Sequence, residues 1–337
     1  MHFLITGHTG FKGSWLSLLL RERGHTVSGI SLEPAPASLF IKSRISDIFE
    51  SDIRSDICEL NELIGHFAAV NPDFVIHLAA QALVVDSYDD PIATFNTNVM
   101  GTINVLKASE IIKDLQGQLI VTTDKVYKNV NKSVGYTESD PLGGTDPYSA
   151  SKAMADIGAQ SWLSSFSSAP TAIARAGNVI GGGDVCKHRL IPDLVESLTA
   201  GQTPILRAPN SVRPWQHVLD CLNGYLTLVD AILNGSGVGA WNFGPLDAQA
   251  RTVADVCDLA CNSWGVKENW KMDATQFPHE AHLLLLDSGK ARTQLGWKDK
   301  LNFEESVSWT MGWYKNVHNG NDPLKETLRN IREFELK

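Results

Sequence analysis

Residues 6–13, Thr-Gly-His-Thr-Gly-Phe-Lys-Gly, join the short apolar run FLIT (3–6) to KGSWLSLLLRER, where Trp15, Leu18 and Leu19 predict the apolar face of a helix. Gly7, Gly10 and Gly13 lack the side chains that would obstruct a tight turn or keep a phosphate from the helix N-terminus. A strand, a glycine turn and a helix in that order commit the chain to crossing back over a sheet before its next strand. The apolar runs TVSGI (26–30), DFVIHLA (73–79), QLIVT (118–122) and TAIAR (171–175) continue the pattern, each short and suited to burial on both faces. Asp90 ahead of Pro91 and Asp146 ahead of Pro147 each supply a capping acceptor and a proline at the first helical position, so helices are expected from near 91 and 147. The expected fold class is α/β, a doubly wound parallel sheet of Rossmann type.

At GGGD (181–184) the texture changes to mixed short segments, among them PILRAP, AWNFGP and HLLLLD, with helices expected near 252–263 and 304–317. We therefore expect a dinucleotide-binding domain over 1–180, with later segments near 214–245 interleaved, and a smaller α/β lobe for the substrate over 181–337. The stretch LKETLRNIREFELK (324–337) predicts an amphipathic helix with a packing role.

With 43% hydrophobic and 20% charged residues among 337, the chain can bury a large core, and disorder is excluded. A formal charge of -9 argues against nucleic acid or an anionic membrane as partner. No apolar run approaches the roughly 18 residues of a membrane span, so a soluble cytoplasmic protein is expected. The five cysteines, Cys58, Cys186, Cys221, Cys257 and Cys261, are odd in number and irregularly spaced, which suits reduced thiols. His279-Glu280-Ala281-His282 lacks the spacing of a zinc motif, and no metal is expected.

The glycine turn predicts a dinucleotide pyrophosphate held by Gly7, Thr9, Gly10, Phe11, Lys12 and Gly13. The second strand ends in Gly29-Ile30-Ser31 and not in an acid. Ser31 is thus expected at the adenosine ribose with Glu33 as an alternative grip, which leaves NAD and NADP both open. Asp56 and Ile57, ahead of another helix, are expected at the adenine, the alternative for Asp56 being a helix cap.

Two further segments carry chemistry. QLIV runs into Thr122-Thr123-Asp124-Lys125-Val126-Tyr127, which puts an acid and a base just past the end of a buried strand. In Tyr148-Ser149-Ala150-Ser151-Lys152, the spacing of four places Tyr148 and Lys152 on one helix face. A phenol with a pKa of ~10 must fall by about 3 units, roughly 4 kcal/mol, to serve as a base near neutrality, and a lysine beside an oxidised nicotinamide can provide that.

TGHTGFKG, HLAAQ (77–81), NTNVMGT (96–102), YSASK (148–152) and RAGNVIGGGD (175–184) resemble the extended short-chain dehydrogenase/reductases that act on nucleotide sugars, over nearly the whole chain. Together with SYDDP, TDK, DPLGG, RLIPD, RPWQHV, NFGP, HEAH and LGW, they are similar within that family to the 4,6-dehydratases that use CDP-glucose. The resemblance implies a tightly held NAD, a homodimer built on a helix bundle, and cofactor contacts from Leu78, Ala79, Ala80, Gln81, Asn98, Thr122, Tyr148 and Lys152. It implies that Tyr148 takes the proton of the carbon 4 hydroxyl while hydride leaves carbon 4. Water is then lost across carbons 5 and 6, and the hydride returns to carbon 6. In this scheme Thr123 binds the carbon 4 hydroxyl and Asp124 protonates the departing hydroxyl. Lys125 handles the carbon 5 proton, with a neutral base and a cationic stabiliser both open. Asn178, Arg189, Arg213, Trp215 and His217 are implied at the sugar nucleotide.

The alternatives are another nucleotide sugar, a 4-epimerase or a ketosugar reductase, and a binding module without catalysis. The Asp124–Lys125 pair argues against the epimerase, and Tyr148 with Lys152 against the inert module. The chain departs from the resemblance at Ala82-Leu83-Val84-Val85, where such dehydratases carry Pro-Leu-Val-Arg, and at Val126 and Cys186. These departures bear on which sugar nucleotide is accepted.

Overall fold

The computed structural model describes residues 1–166, 169–245, 251–267, 270–273 and 283–337. Its centre is a seven-stranded parallel sheet: β1 (His2–Thr6), β2 (Thr26–Ser31), β3 (Ser51–Arg54), β4 (Phe74–His77), β5 (Gly117–Val121), β6 (Thr171–Ala176) and β7 (Gly239–Phe243). The spatial order is β7-β6-β5-β4-β1-β2-β3. Successive strand residues face opposite sides, and both sides are covered. Phe3, Ile5, Phe74, Ile76, Leu119 and Val121 face the core beneath the Phe11–Glu22 and Val218–Leu233 helices. Leu4 and Val75 face Leu63, Phe67 and Val105 on the Leu60–Val70 and Gly101–Ser109 helices. Ile120 and Ile173 meet Ala159 of the Pro147–Ser165 helix. Burial on both faces is why β1, β4, β5 and β6 read as unbroken apolar runs.

Two strands lie outside the five expected runs. β3 is an edge strand, SDIR, too short and polar to announce itself, and it is held by pairing with β2. β7 comes from the AWNF segment and pairs with β6. The expected proline-led helices are present: Asp90 accepts from the Ala93 amide at 2.9 Å, and Asp146 from the Ser149 amide at 2.9 Å.

The strand order reverses between β1 and β4, and a crevice opens there at the carboxyl edge of the sheet. Segments beyond residue 180 roof it: the Leu190–Thr199 helix, two-residue strand pairs and Val253 at the head of the Val253–Trp264 helix, behind which the Phe303–His318 helix packs. Packing is close at Gly182: a side chain there would lie 2.1 Å from the Trp313 ring, and its carbonyl accepts from Trp15 Nε1 at 2.8 Å. The 324–337 stretch is a helix, Pro323–Leu336, whose Ile331 and Phe334 are buried. Among the described residues, no helix is long and apolar enough to cross a membrane.

Candidate active site

The crevice is a cavity of about 980 Å³ lined by the turns after β1, β2, β4, β5 and β6 together with the roof. Its floor starts at the glycine turn. Gly7 sits at φ +76°, and a Cβ there would lie 2.7 Å from the Ala79 amide nitrogen; a Cβ on Gly13 would lie 2.3 Å from the Gly7 carbonyl oxygen. The turn is thus pressed against both the β4 turn and the first helical residues. Gly10 caps the Phe11–Glu22 helix without a side-chain bond, which leaves the leading amides directed at the cavity. This cradle fits a pyrophosphate, and Gly7, Thr9, Gly10, Phe11, Lys12 and Gly13 all line it.

At one end Ser31, Asp56 and Ile57 line the wall, with Ser55 beside them. The Ser31 and Thr9 hydroxyls share a hydrogen bond of 2.7 Å. Asp56 accepts from the Cys58 amide at 2.9 Å, while the Leu60–Val70 helix is capped at Glu59, so Asp56 holds a turn and not the helix. Arg54 is tied to Asp52, which also binds His8 at 2.7 Å, and it stands 3.5 Å from Glu33. His8, buried beneath Gly29, has its imidazole pKa lowered chiefly by burial. That histidine was no part of the expected site.

At the other end stand the reactive groups. Tyr148 and Lys152 lie one turn apart on the Pro147–Ser165 helix, both buried. The Lys152 ammonium donates to the Val121 carbonyl at 3.1 Å. Burial, with the charge of Lys12 adding to it, brings Lys152 down to about 8. Burial pushes the Tyr148 phenol up to about 12 against a hydrogen bond with Thr123. Thr122, Thr123 and Lys125 line the cavity just past β5. Asp124 lies under that wall with no exposed surface: one carboxylate oxygen accepts from Thr123 at 3.0 Å, and the other has no partner. The Lys125 ammonium stands 3.9 Å from Oδ1, the oxygen that Thr123 holds. Beside the partnerless oxygen is Gly177, where a Cβ would come within 3.2 Å.

Leu78, Ala79, Ala80, Asn178, Arg189, Arg213 and Trp215 also line the cavity. Arg189 is paired with Asp184 at 2.9 Å, and Trp215 donates to the Arg251 carbonyl at 3.3 Å. Three expected contacts stand elsewhere. His217 is buried and caps the Val218–Leu233 helix through Nδ1, which accepts from the Leu219 amide at 3.2 Å. It sits edge-on to Trp15 and Trp309, and burial lowers its pKa to about 3. The structure therefore gives it a packing place and not the expected one at the sugar nucleotide, because the two-residue strand Gln216–His217 turns inward against Val179–Ile180. Gln81 and Asn98 bind each other: the Gln81 amide donates to Asn98 at 2.9 Å, and Asn98 returns a bond to the Gln81 carbonyl at 3.0 Å. Asn98 also donates to Ser151 at 2.9 Å from a widened π turn, Asn96–Met100, so this pair braces the β4 turn against the Tyr148 helix.

Sequence reasoning did not assign the wall of Tyr88, Asp184 and Arg207, nor the buried Asp156–Arg175 pair behind β5. Asp156 had a signal: it continues the spacing of four from Tyr148 and Lys152. His279–His282 lie outside the described residues. Among the described residues no cluster of His, Cys, Asp and Glu has the geometry of a metal site.

A parallel sheet in this order, a glycine turn at its first crossover and a Tyr-x-x-x-Lys helix beside it define the extended short-chain dehydrogenase/reductase class. The sequence profile described as GDP-mannose 4,6 dehydratase matches residues 4–310, and the chain belongs to that family. It is 42% identical to the CDP-glucose 4,6-dehydratase of Salmonella typhimurium strain LT2 over 341 residues, 98% of this chain and 95% of the other. The dTDP-glucose 4,6-dehydratase of the same organism is 28% identical, covering 93% of this chain and 92% of its own. In fold, the chain matches a Streptomyces venezuelae dTDP-glucose 4,6-dehydratase with a TM-score of 0.82 at 24% identity, over 96% of this chain and all of that one.

Proposed function

We propose that this chain removes water from CDP-glucose to give CDP-4-keto-6-deoxyglucose, with NAD as its resident cofactor. The observation that carries the reading is the Thr123-Asp124-Lys125 turn beside Tyr148 at one end of a cavity whose other end is the glycine cradle. The relative at 42% identity, itself a CDP-glucose 4,6-dehydratase, supports the choice of nucleotide. The paired Ser31 and Thr9 hydroxyls, with Arg54 engaged by Asp52, favour a ribose hydroxyl over a 2'-phosphate.

NAD, when bound, supplies a hydride acceptor that gives the hydride back within one turnover. Tyr148 receives the proton of the carbon 4 hydroxyl, which Thr123 orients. Bringing its phenol from about 12 to neutrality requires ~7 kcal/mol of differential stabilisation, to which the Lys152 charge contributes. Once carbon 4 is a ketone, the carbon 5 proton is acidic, and Lys125 is the group that takes it, leaving the enolate beside the new ammonium. Asp124 gives a proton to the carbon 6 hydroxyl as the carbon–oxygen bond breaks.

We also read the assembly as a homodimer. Ile92, Met100, Met154 and Ile157 leave large apolar side chains exposed on the helices at 91–109 and 147–165. The test of the activity is incubation with CDP-, UDP-, dTDP- and GDP-sugars and mass spectrometry for loss of one water. Loss from CDP-glucose without net use of added NAD is the expected result; isomerisation, or dehydration of another sugar nucleotide alone, overturns it.

A further inference from the structure

The turn that carries Asp124 and Lys125 is gripped at both ends by one buried ion pair. Arg175 on β6 meets Asp156 through Nε at 2.8 Å and Nη2 at 2.6 Å, with both residues almost fully buried. On the near side of the turn, the Thr122 hydroxyl donates to Asp156 at 3.0 Å. On the far side, the Tyr127 hydroxyl accepts from Arg175 Nη1 at 2.9 Å and donates to Asn242 of β7 at 2.7 Å. Asn242 in turn donates to the carbonyls of Tyr136 and Asp287, both at 2.9 Å. Gln160 completes the carboxylate with a bond of 2.7 Å.

Stability alone is a weak reason for such a pair, because well-packed apolar residues often serve as well as a buried ion pair. Its specific product is geometry. We propose that Asp156, Arg175 and Tyr127 are positioning residues that fix the turn from Thr122 to Tyr127, and with it Asp124 and Lys125, which act in the elimination. This rests on the dehydratase reading. Their hydrogen bonds run to one another, to both ends of the turn and to Asn242 behind it, so they act through the turn and not on substrate. Asp156 is also one turn beyond Lys152 on the Pro147–Ser165 helix, which ties the turn to the groups that act at carbon 4.

Tyr127→Phe is the test. It removes only the hydroxyl and keeps the ring stacked on Tyr136 at 5.3 Å between centroids. In the holoenzyme with CDP-glucose, kcat for water loss should fall on the order of 10²-fold, the usual result of a misplacement of about 1 Å, with KM within about twofold. Oxidation at carbon 4 should stay within a few-fold, so reduced nicotinamide absorbance builds up during turnover. Asn242→Ala, which leaves the Tyr127 hydroxyl without its acceptor, should give the same split, and it carries the test if Tyr127→Phe does not fold. Water loss at the wild-type rate in a folded variant overturns the proposal, as does an equal fall in oxidation and dehydration. A wild-type protein that removes water from no nucleotide sugar overturns the dehydratase reading and the clamp's role together; an active wild type with unchanged variants overturns the clamp alone.

Discussion

Replacing Lys152 with methionine should make the protein more stable and inactive. Lys152 is 5% exposed, and burial brings its pKa from 10.5 to about 8. Holding the charge in the folded protein at neutral pH therefore costs about 3 kcal/mol. The sign follows from the order of the two values. Below about 8 the lysine is charged in both states, and the whole penalty applies. Between 8 and 10.5 the folded protein releases its proton while the unfolded chain keeps one, so the penalty fades as pH rises. Methionine removes the penalty but leaves the Val121 carbonyl without its donor, a loss of about 1 kcal/mol. The net gain is about 2 kcal/mol near pH 7, shrinking to nearly nothing near pH 10. Urea unfolding of cofactor-depleted wild type and variant at the two pH values measures it. A variant less stable than wild type near pH 7, or a difference that does not change with pH, would falsify the reasoning. Full dehydration by the variant would separately remove Lys152 from the chemistry. The stability given up at this position is the kind a reactive site carries.

The remaining tests separate the steps and the cofactor. Asp124→Asn should remove most of the dehydration while hydride exchange between carbon 4 and the cofactor continues, and an undiminished yield of product would end its assignment as the acid. Tyr148→Phe should stop the oxidation at carbon 4 itself, read as no reduction of bound cofactor in a single turnover; reduction at the normal rate would mean that another group is the base. Gly13→Ala places a methyl 2.3 Å from the Gly7 oxygen and 2.6 Å from His8 Cα, both backbone atoms, so the turn must shift. Cofactor affinity should fall at least about tenfold in a titration of depleted protein, and unchanged affinity would show that the turn does not hold the pyrophosphate.

How much of this was legible depended on how locally each feature is encoded. Strands buried on both faces show as apolar runs, and a capping aspartate followed by proline marks a helix start, so five strands and the two proline-led helices could be placed from the sequence. β3 escaped because its pairing with β2, not its own composition, makes it a strand. The sheet membership of β7 rests on its register with β6, more than sixty residues earlier, which periodicity does not carry. The candidate reactive groups could be named for the same reason as the helices: Thr123, Asp124 and Lys125 are consecutive, and Tyr148 and Lys152 are one turn apart.

The errors fall where a short segment has two possible faces. In Arg213-Pro214-Trp215-Gln216-His217 an aromatic, an amide and an imidazole alternate, and only the pairing of the last two with Val179–Ile180 decides that Trp215 faces the cavity while His217 faces the helices. The same limit hides the Asp156–Arg175 pair, whose partners lie nineteen residues apart on a helix and a strand. The division has a physical consequence. Groups that move protons are supplied by one strand end and one helix, within residues 122–156, and are braced there by buried bonds. Groups expected to read the sugar nucleotide come from the roof, at 178–215, and from the apolar Ala82–Val85 segment of the β4 turn. The β4-turn wall is nonetheless tied to the proton-moving groups: the Tyr148 amide donates to Ser87 at 3.2 Å, and the Gln81–Asn98–Ser151 bonds run to the same helix, so a change at Ala82–Val85 can reach Tyr148 as well as the substrate.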